Sequence, residues 1–160
     1  MTMTTTHETE ITVDPDVPLV RITREFDAPP EKVFRAHTDP ELLVQWLGPR
    51  RHEMRIDYHD CRTGGAYRYV HTSDGNEYWF HGCFHEVRPS ELIVQTFTFE
   101  GMPDSVALEK LVLEDLGDGR TRLTATSLVD SFEARDAFVA SGMEDGVVQS
   151  YERLDDLLAR

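Results

Sequence analysis

The feature that most limits what this chain can fold into is a change of hydrophobic period. Between about His52 and Val129 the large side chains recur at every second residue, whereas from Met143 to Leu158 they recur at threes and fours. Alternation lines up one face of a strand, and the three-and-four spacing paints a stripe on a helix. His52-Met54-Ile56-Tyr58, Tyr67-Tyr69-His71, Trp79-His81-Cys83 and Ile93-Gln95-Phe97-Phe99 follow the first rule, and two further strands are predicted over Val106–Leu116 and Arg120–Val129. Turn signals at Gly64-Gly65, Ser73-Asp74-Gly75-Asn76, Arg88-Pro89-Ser90 and Gly117-Asp118-Gly119 divide them at hairpin spacing, so the sheet is expected to be antiparallel. Met143, Val147, Tyr151, Leu154 and Leu158 form the helical stripe, with Glu144, Asp145, Glu152, Asp155 and Asp156 on the other side. A shorter helical stretch, Phe132 to Ala140, precedes it and is cut off by Ser141-Gly142.

Upstream of the sheet, Leu19 to Phe26 alternates as a first strand and stops at Asp27-Ala28-Pro29-Pro30. Pro30 suits the first turn of a helix carrying Val33, Phe34 and His37. Asp39 then caps a second short helix, with Pro40 at its first position and Leu42, Leu43, Trp46 and Leu47 as its apolar side, until Gly48-Pro49 ends it. Residues 1–17 are Thr-rich and polar, too poor in apolar side chains to offset the entropy of ordering, and are expected to be a disordered leader. Residues 18–160 then make one α+β domain of about seven strands, a size that buries a real core without a second folding unit.

Sixteen Lys and Arg stand against 30 Asp and Glu, a formal charge of −14, which repels phosphate backbones and anionic lipid surfaces. Neither nucleic acid nor membrane is an expected partner. No apolar run approaches the ~20 residues of a membrane span, and residues 1–10 have no secretory pattern. A cytoplasmic location is expected, and in that compartment Cys61 and Cys83 stay thiols.

Six stretches in register narrow the fold further. They are Phe26-Asp27-Ala28-Pro29-Pro30-Glu31-Lys32-Val33-Phe34, Thr38-Asp39-Pro40-Glu41, Gln45-Trp46-Leu47-Gly48-Pro49, Gly64-Gly65-Ala66-Tyr67-Arg68, Gly119-Arg120-Thr121-Arg122-Leu123-Thr124 and Gly142-Met143-Glu144-Asp145-Gly146. Together they resemble the bacterial activator-of-heat-shock-ATPase-like branch of the START-like (SRPBCC) superfamily, from about Leu19 to Arg160. The resemblance implies a helix-grip fold, as in Bet v-like proteins, in which a curved antiparallel sheet wraps a long C-terminal helix and leaves a hollow. It also implies a small hydrophobic ligand, of aromatic, polyketide-like or lipid type. Where the family often has a second aromatic after Trp46 and a Trp after Gly146, this chain has Leu47 and Val147, so bulk is lost near the expected pocket.

The residues expected to line that pocket are Trp46, Tyr67, Tyr69, Trp79, His81, Phe97, Phe99, Met143 and Val147. Large rings supply contact area, and Tyr67, Tyr69 and His81 supply the few polar groups that orient a ligand. His81, Cys83 and His85 share a strand face, but the outer pair lies about 13 Å apart at ~3.3 Å per residue, too far for one zinc ion. No metal site and no cofactor is expected. A catalytic base would need a His or carboxylate held inside the cavity, and His81 is the candidate the strands offer. No carboxylate partner for it is evident on its own strand, and no nucleophile elbow, phosphate loop or dinucleotide fingerprint occurs. Binding without turnover is the leading expectation. A cyclase- or hydrolase-like enzyme using a cavity His, and a chaperone-associated interaction protein of a stress response, stay open as alternatives, as does a homodimer.

Overall fold

The structure, a computed structural model, describes residues 7–160. Its elements in chain order are β1 (Glu10–Val13), β2 (Leu19–Phe26), α1 (Pro30–Thr38), α2 (Pro40–Leu43), β3 (Glu53–His59), β4 (Ala66–Ser73), β5 (Asn76–Arg88), β6 (Leu92–Phe99), β7 (Ala107–Gly117), β8 (Arg120–Leu128), α3 (Phe132–Ala140) and α4 (Met143–Leu158). The strands make one curved antiparallel sheet in the order β1-β2-β8-β7-β6-β5-β4-β3. Consecutive strands from β3 to β8 are neighbours, the meander that short Gly-rich turns enforce. At the β4–β5 turn both Asp74 and Gly75 have positive φ, 51° and 80°, the backbone of a two-residue hairpin loop whose twist matches its strands.

Local chemistry sets the helix ends. Pro29 precedes α1 with Pro30 at its first turn, and the Asp39 carboxylate accepts from the Glu41 N–H to open α2. Ser131 accepts from Ala134 N–H at 3.0 Å to start α3, and Gly142 at φ 89° lets the chain turn into α4. The core then forms where α4 lies against the sheet: Tyr151, Leu154 and Leu158 pack with Phe26, Val33, Trp46, Leu113 and Leu123. A second buried cluster, Tyr67, Tyr69, Phe84 and Ile93, sits on the β4–β6 part of the same face.

The expected disordered leader contains a strand. β1 pairs with β2 from Glu10↔Thr23 to Val13↔Val20, so the sheet has eight strands rather than about seven. Residues 1–6 lie outside the described residues. Composition missed β1 because its side chains are mostly exposed and its hold is through the backbone. The segment is also anchored at its end, where buried Arg135 donates to the Asp14 carbonyl at 2.7 Å and the Asp14 carboxylate accepts from Asp16 and Val17 N–H. Deleting residues 1–14 should therefore lower the unfolding free energy by about 1–3 kcal/mol in a denaturant titration, the scale of losing one hydrogen bond from a buried charged group. An unchanged midpoint and slope would show that β1 adds nothing to the fold.

Candidate functional site

Between the concave face and α4 lies a cavity of about 320 Å³. Its wall is assembled from nearly every layer of the fold: Ile22 of β2, His37 of α1, Leu43 and Trp46, His59 of β3, Tyr67 and Tyr69 of β4, Phe84 of β5, Gln95 and Phe97 of β6, Glu109 and Leu111 of β7, Ala125 and Ser127 of β8, and Val147 of α4. Trp46 is fixed at the helical end, its indole N–H donating to the Ala36 carbonyl at 2.9 Å while its ring stacks on Tyr151 and meets the edge of His37. Across from it Tyr67 stacks on Tyr69 at 5.9 Å and leans on Phe84 at 5.2 Å.

One line of polar groups crosses this apolar wall. The Tyr67 hydroxyl donates to the Thr96 carbonyl at 2.6 Å. That bond uses its single hydrogen, so Gln95 must present its amide N–H to Tyr67 Oη, and does so at 3.2 Å. The same Gln95 nitrogen reaches Glu109 Oε1 at 3.3 Å, and Ser127 also hydrogen-bonds the Glu109 side chain. Gly82 makes the arrangement possible: a Cβ there would lie 2.0 Å from the Thr96 carbonyl oxygen and 2.7 Å from Tyr67 Oη.

Burial governs the titration of these groups. Desolvation raises Glu109 from 4.5 to about 7, against the hydrogen bonds from Gln95 and Ser127 that favour its charged form. Desolvation likewise lowers His37 to about 4, opposed by its bond to the Val33 carbonyl, and lowers His59. His59 Nε2 is buried without a hydrogen-bond partner. The cavity thus holds one carboxyl that titrates near neutrality and two imidazoles held neutral at pH 7.

The Glu109 shift has a measurable consequence. Its native value lies above its unfolded value, so the native state keeps a proton that the unfolded chain loses, and that stabilisation disappears as pH rises from about 4.5 to about 7. Glu109→Gln should accordingly be more stable than the parent at pH 8 by roughly 2 to 3 kcal/mol, with the difference vanishing by pH 4. A difference independent of pH would contradict a carboxyl desolvated in the cavity wall.

Trp46, Tyr67, Tyr69, Phe97 and Val147 stand in the cavity wall as the sequence placed them. The other expected pocket residues do not. Trp79 and His81 occupy the convex face, because on β5 the inward set is Phe80, Gly82 and Phe84. There Arg68 lies over the Trp79 ring at 3.9 Å and forks onto Glu100, at 2.8 and 2.9 Å. His81 Nδ1 also meets Glu100 at 2.9 Å, so the carboxylate partner absent from its strand comes from the end of β6, outside the cavity. Arg68 foremost holds Glu100 down at about 2. Phe99 shares the inward face but lies tilted against Phe80, outside the cavity wall, and Met143 is half-buried at the start of α4, clear of the wall.

Sequence reading missed His59, Gln95, Glu109 and Ser127. The bulge at Ile56/Tyr58 explains the first: the extra residue turns Tyr58 out to solvent and His59 inward, reversing the parity that Met54 and Ile56 establish. Glu109 did leave a signal, since it shares its parity with Ala107, Leu111 and Leu113, a carboxylate on an otherwise apolar strand face. Among the described residues no group of three or more His, Cys, Asp or Glu is placed to hold an ion, and no helix is long and apolar enough to cross a membrane.

Solved structures share this architecture. Protein Ms6760 from Mycobacterium smegmatis superposes with a TM-score of 0.84 at 27% identity, over 94% of this chain and 96% of that one. Protein CV1439 from Chromobacterium violaceum is 30% identical, with a TM-score of 0.78, over 89% of this chain and 98% of its own. A protein from Arthrobacter aurescens, solved by NMR, reaches 0.86 at 27% identity over 94% and 91%. No curated protein sequence matches the chain. Residues 27–159, which run from the end of β2 through α4, match the family described as Activator of Hsp90 ATPase homolog 1-like protein, and the chain belongs to that family.

Proposed function

We propose that this protein binds one small, compact, largely apolar molecule in the cavity between its sheet and α4, and releases it unchanged. The observation that carries the reading is the cavity itself. Its volume of about 320 Å³ lies at the lower end of the ~300–1,000 Å³ range of ligand sites, which suits a few fused or linked rings better than a long acyl chain. Stacked rings on one side and a short polar line on the other are the composition of a site that selects by shape and orients by a few hydrogen bonds.

One observation keeps an enzymatic reading alive, and it concerns Glu109 rather than His81. A carboxyl that titrates near neutrality inside an apolar cavity is equipped for proton transfer. Docking to a chaperone has less support: on the outer face of β7 the exposed Leu108 and Val112 alternate with Lys110 and Glu114, which breaks up any apolar patch.

Calorimetric titration with flavonoid-like, polyketide-like and fatty-acid compounds, followed by chromatography of each bound compound, tests the proposal. Saturable one-to-one binding of a ring compound, weaker binding of the fatty acids and full recovery of unaltered ligand are expected. A product that forms with the parent chain and fails to form with Glu109→Gln, while the compound still binds, would make the protein an enzyme.

A further inference from the structure

The cavity carries a second piece of information, the sign of the charge it lacks. Every hydrogen bond described at the Glu109 carboxyl comes from a donor. Gln95 donates through an amide whose orientation is fixed by the Tyr67 hydroxyl, itself committed to the Thr96 carbonyl. Ser127, directly opposite in the β7–β8 register, is its other partner. The group is therefore built as an acceptor, with its remaining lone pairs open to the cavity.

Among the described residues no cationic side chain pairs with it. Its hydrogen-bond partners Gln95 and Ser127 are both neutral, and the imidazoles of His37 and His59 in the same wall are neutral at pH 7. Lys110, also in the wall, is solvent-exposed and on the opposite parity of β7. The same wall carries aromatic rings, Tyr67 stacked on Tyr69 at 5.9 Å and Phe97, which stacks on Phe80 behind it at 5.3 Å. A lone acceptor carboxylate beside several rings recognises an organic cation, since an ammonium gains both a charge-assisted hydrogen bond and the negative faces of the rings. The net charge of −14 favours approach of such a ligand and disfavours that of an acid.

We infer that the ligand class of this cavity is a lipophilic amine, bound as its ammonium ion against Glu109 with its apolar body among Trp46, Tyr67, Tyr69 and Phe97. This inference rests on the binding function proposed above and specifies the chemistry of what is bound.

Three probes with one ring system separate the two levels: naphthylmethylamine, naphthylmethanol and naphthoic acid, each titrated calorimetrically at pH 8 into the parent chain and into Glu109→Gln. The amine should bind roughly tenfold or more tighter than the alcohol, the ratio that one charge-assisted hydrogen bond supplies, and the acid should bind weakest. In Glu109→Gln the ratio of amine to alcohol affinity should fall toward one, because the amine loses a charge-assisted bond and the alcohol only a neutral one, and an unchanged near-ultraviolet circular dichroism spectrum would show that the cavity persists. Equal affinity of all three probes, or a preference for the acid, would overturn the amine assignment and leave the cavity as a general apolar site. An amine preference that survives in Glu109→Gln would also overturn it. Failure of all three to bind would remove the binding function itself.

Discussion

Replacing Asp155 by Ala should lower the unfolding free energy by about 3–5 kcal/mol, the cost of stranding a buried charge. Arg24 projects from β2 with its side chain 2% exposed, and its guanidinium forks onto the Asp155 carboxylate of α4, one arm at 3.1 Å. Without Asp155, its described hydrogen-bond partner is the Glu25 carbonyl at 2.8 Å, and Nε has no partner in the parent chain already. The pair also ties the grip helix to a strand remote in sequence, so its loss loosens α4 as well as leaving an uncompensated cation. Double replacement by apolar residues, Arg24→Met with Asp155→Leu, should recover most of the loss, because the penalty belongs to the unpaired charge and not to the missing attraction. Denaturant titrations of parent, single and double variants check this. A single variant within ~0.5 kcal/mol of the parent, the range of an ordinary surface change, would mean that Arg24 is not confined as the structure has it.

Leu154→Ala should cost about 2–5 kcal/mol. Leu154 is 0% exposed and sits at the meeting point of Phe26, Val33, Trp46 and Leu123. Those neighbours belong to β2, α1, the α2 segment and β8, which cannot all move inward to fill a lost isobutyl group. A near-neutral unfolding midpoint would place α4 elsewhere.

How much of this could be read from the sequence depends on what each period encodes. Period two assigned the strands β3 to β8 and separated Trp79-His81-Cys83 from Tyr78-Phe80-Gly82-Phe84, but parity alone does not say which set faces inward. Ring size favoured Trp79. The deciding fact is Gly82, whose missing side chain leaves room for Tyr67, a three-dimensional contact with no local signature. Bulges were hidden for the same reason: the slip at Ile56/Tyr58 brings His59 inside, and nothing in the residues from Met54 to Tyr58 announces it. β1 went unseen because backbone pairing at a sheet edge needs no apolar side chains. Glu109 was legible in principle from Ala107-x-Glu109-x-Leu111-x-Leu113, and reading it required taking a polar residue on an apolar face as a site rather than as an exception.

The most direct measurement of the central claim uses the two tryptophans, which lie on opposite faces of the sheet. In Trp79→Phe the sole remaining indole is Trp46, in the cavity wall. Titrating this variant with a flavonoid-like ring compound should give a saturable one-to-one change in Trp46 emission, and that change should vanish when Ala125→Phe fills the cavity of a chain that still unfolds cooperatively. A fluorescence change that the parent chain shows and Trp79→Phe lacks would put the ligand on the convex face beside Arg68 and contradict the account.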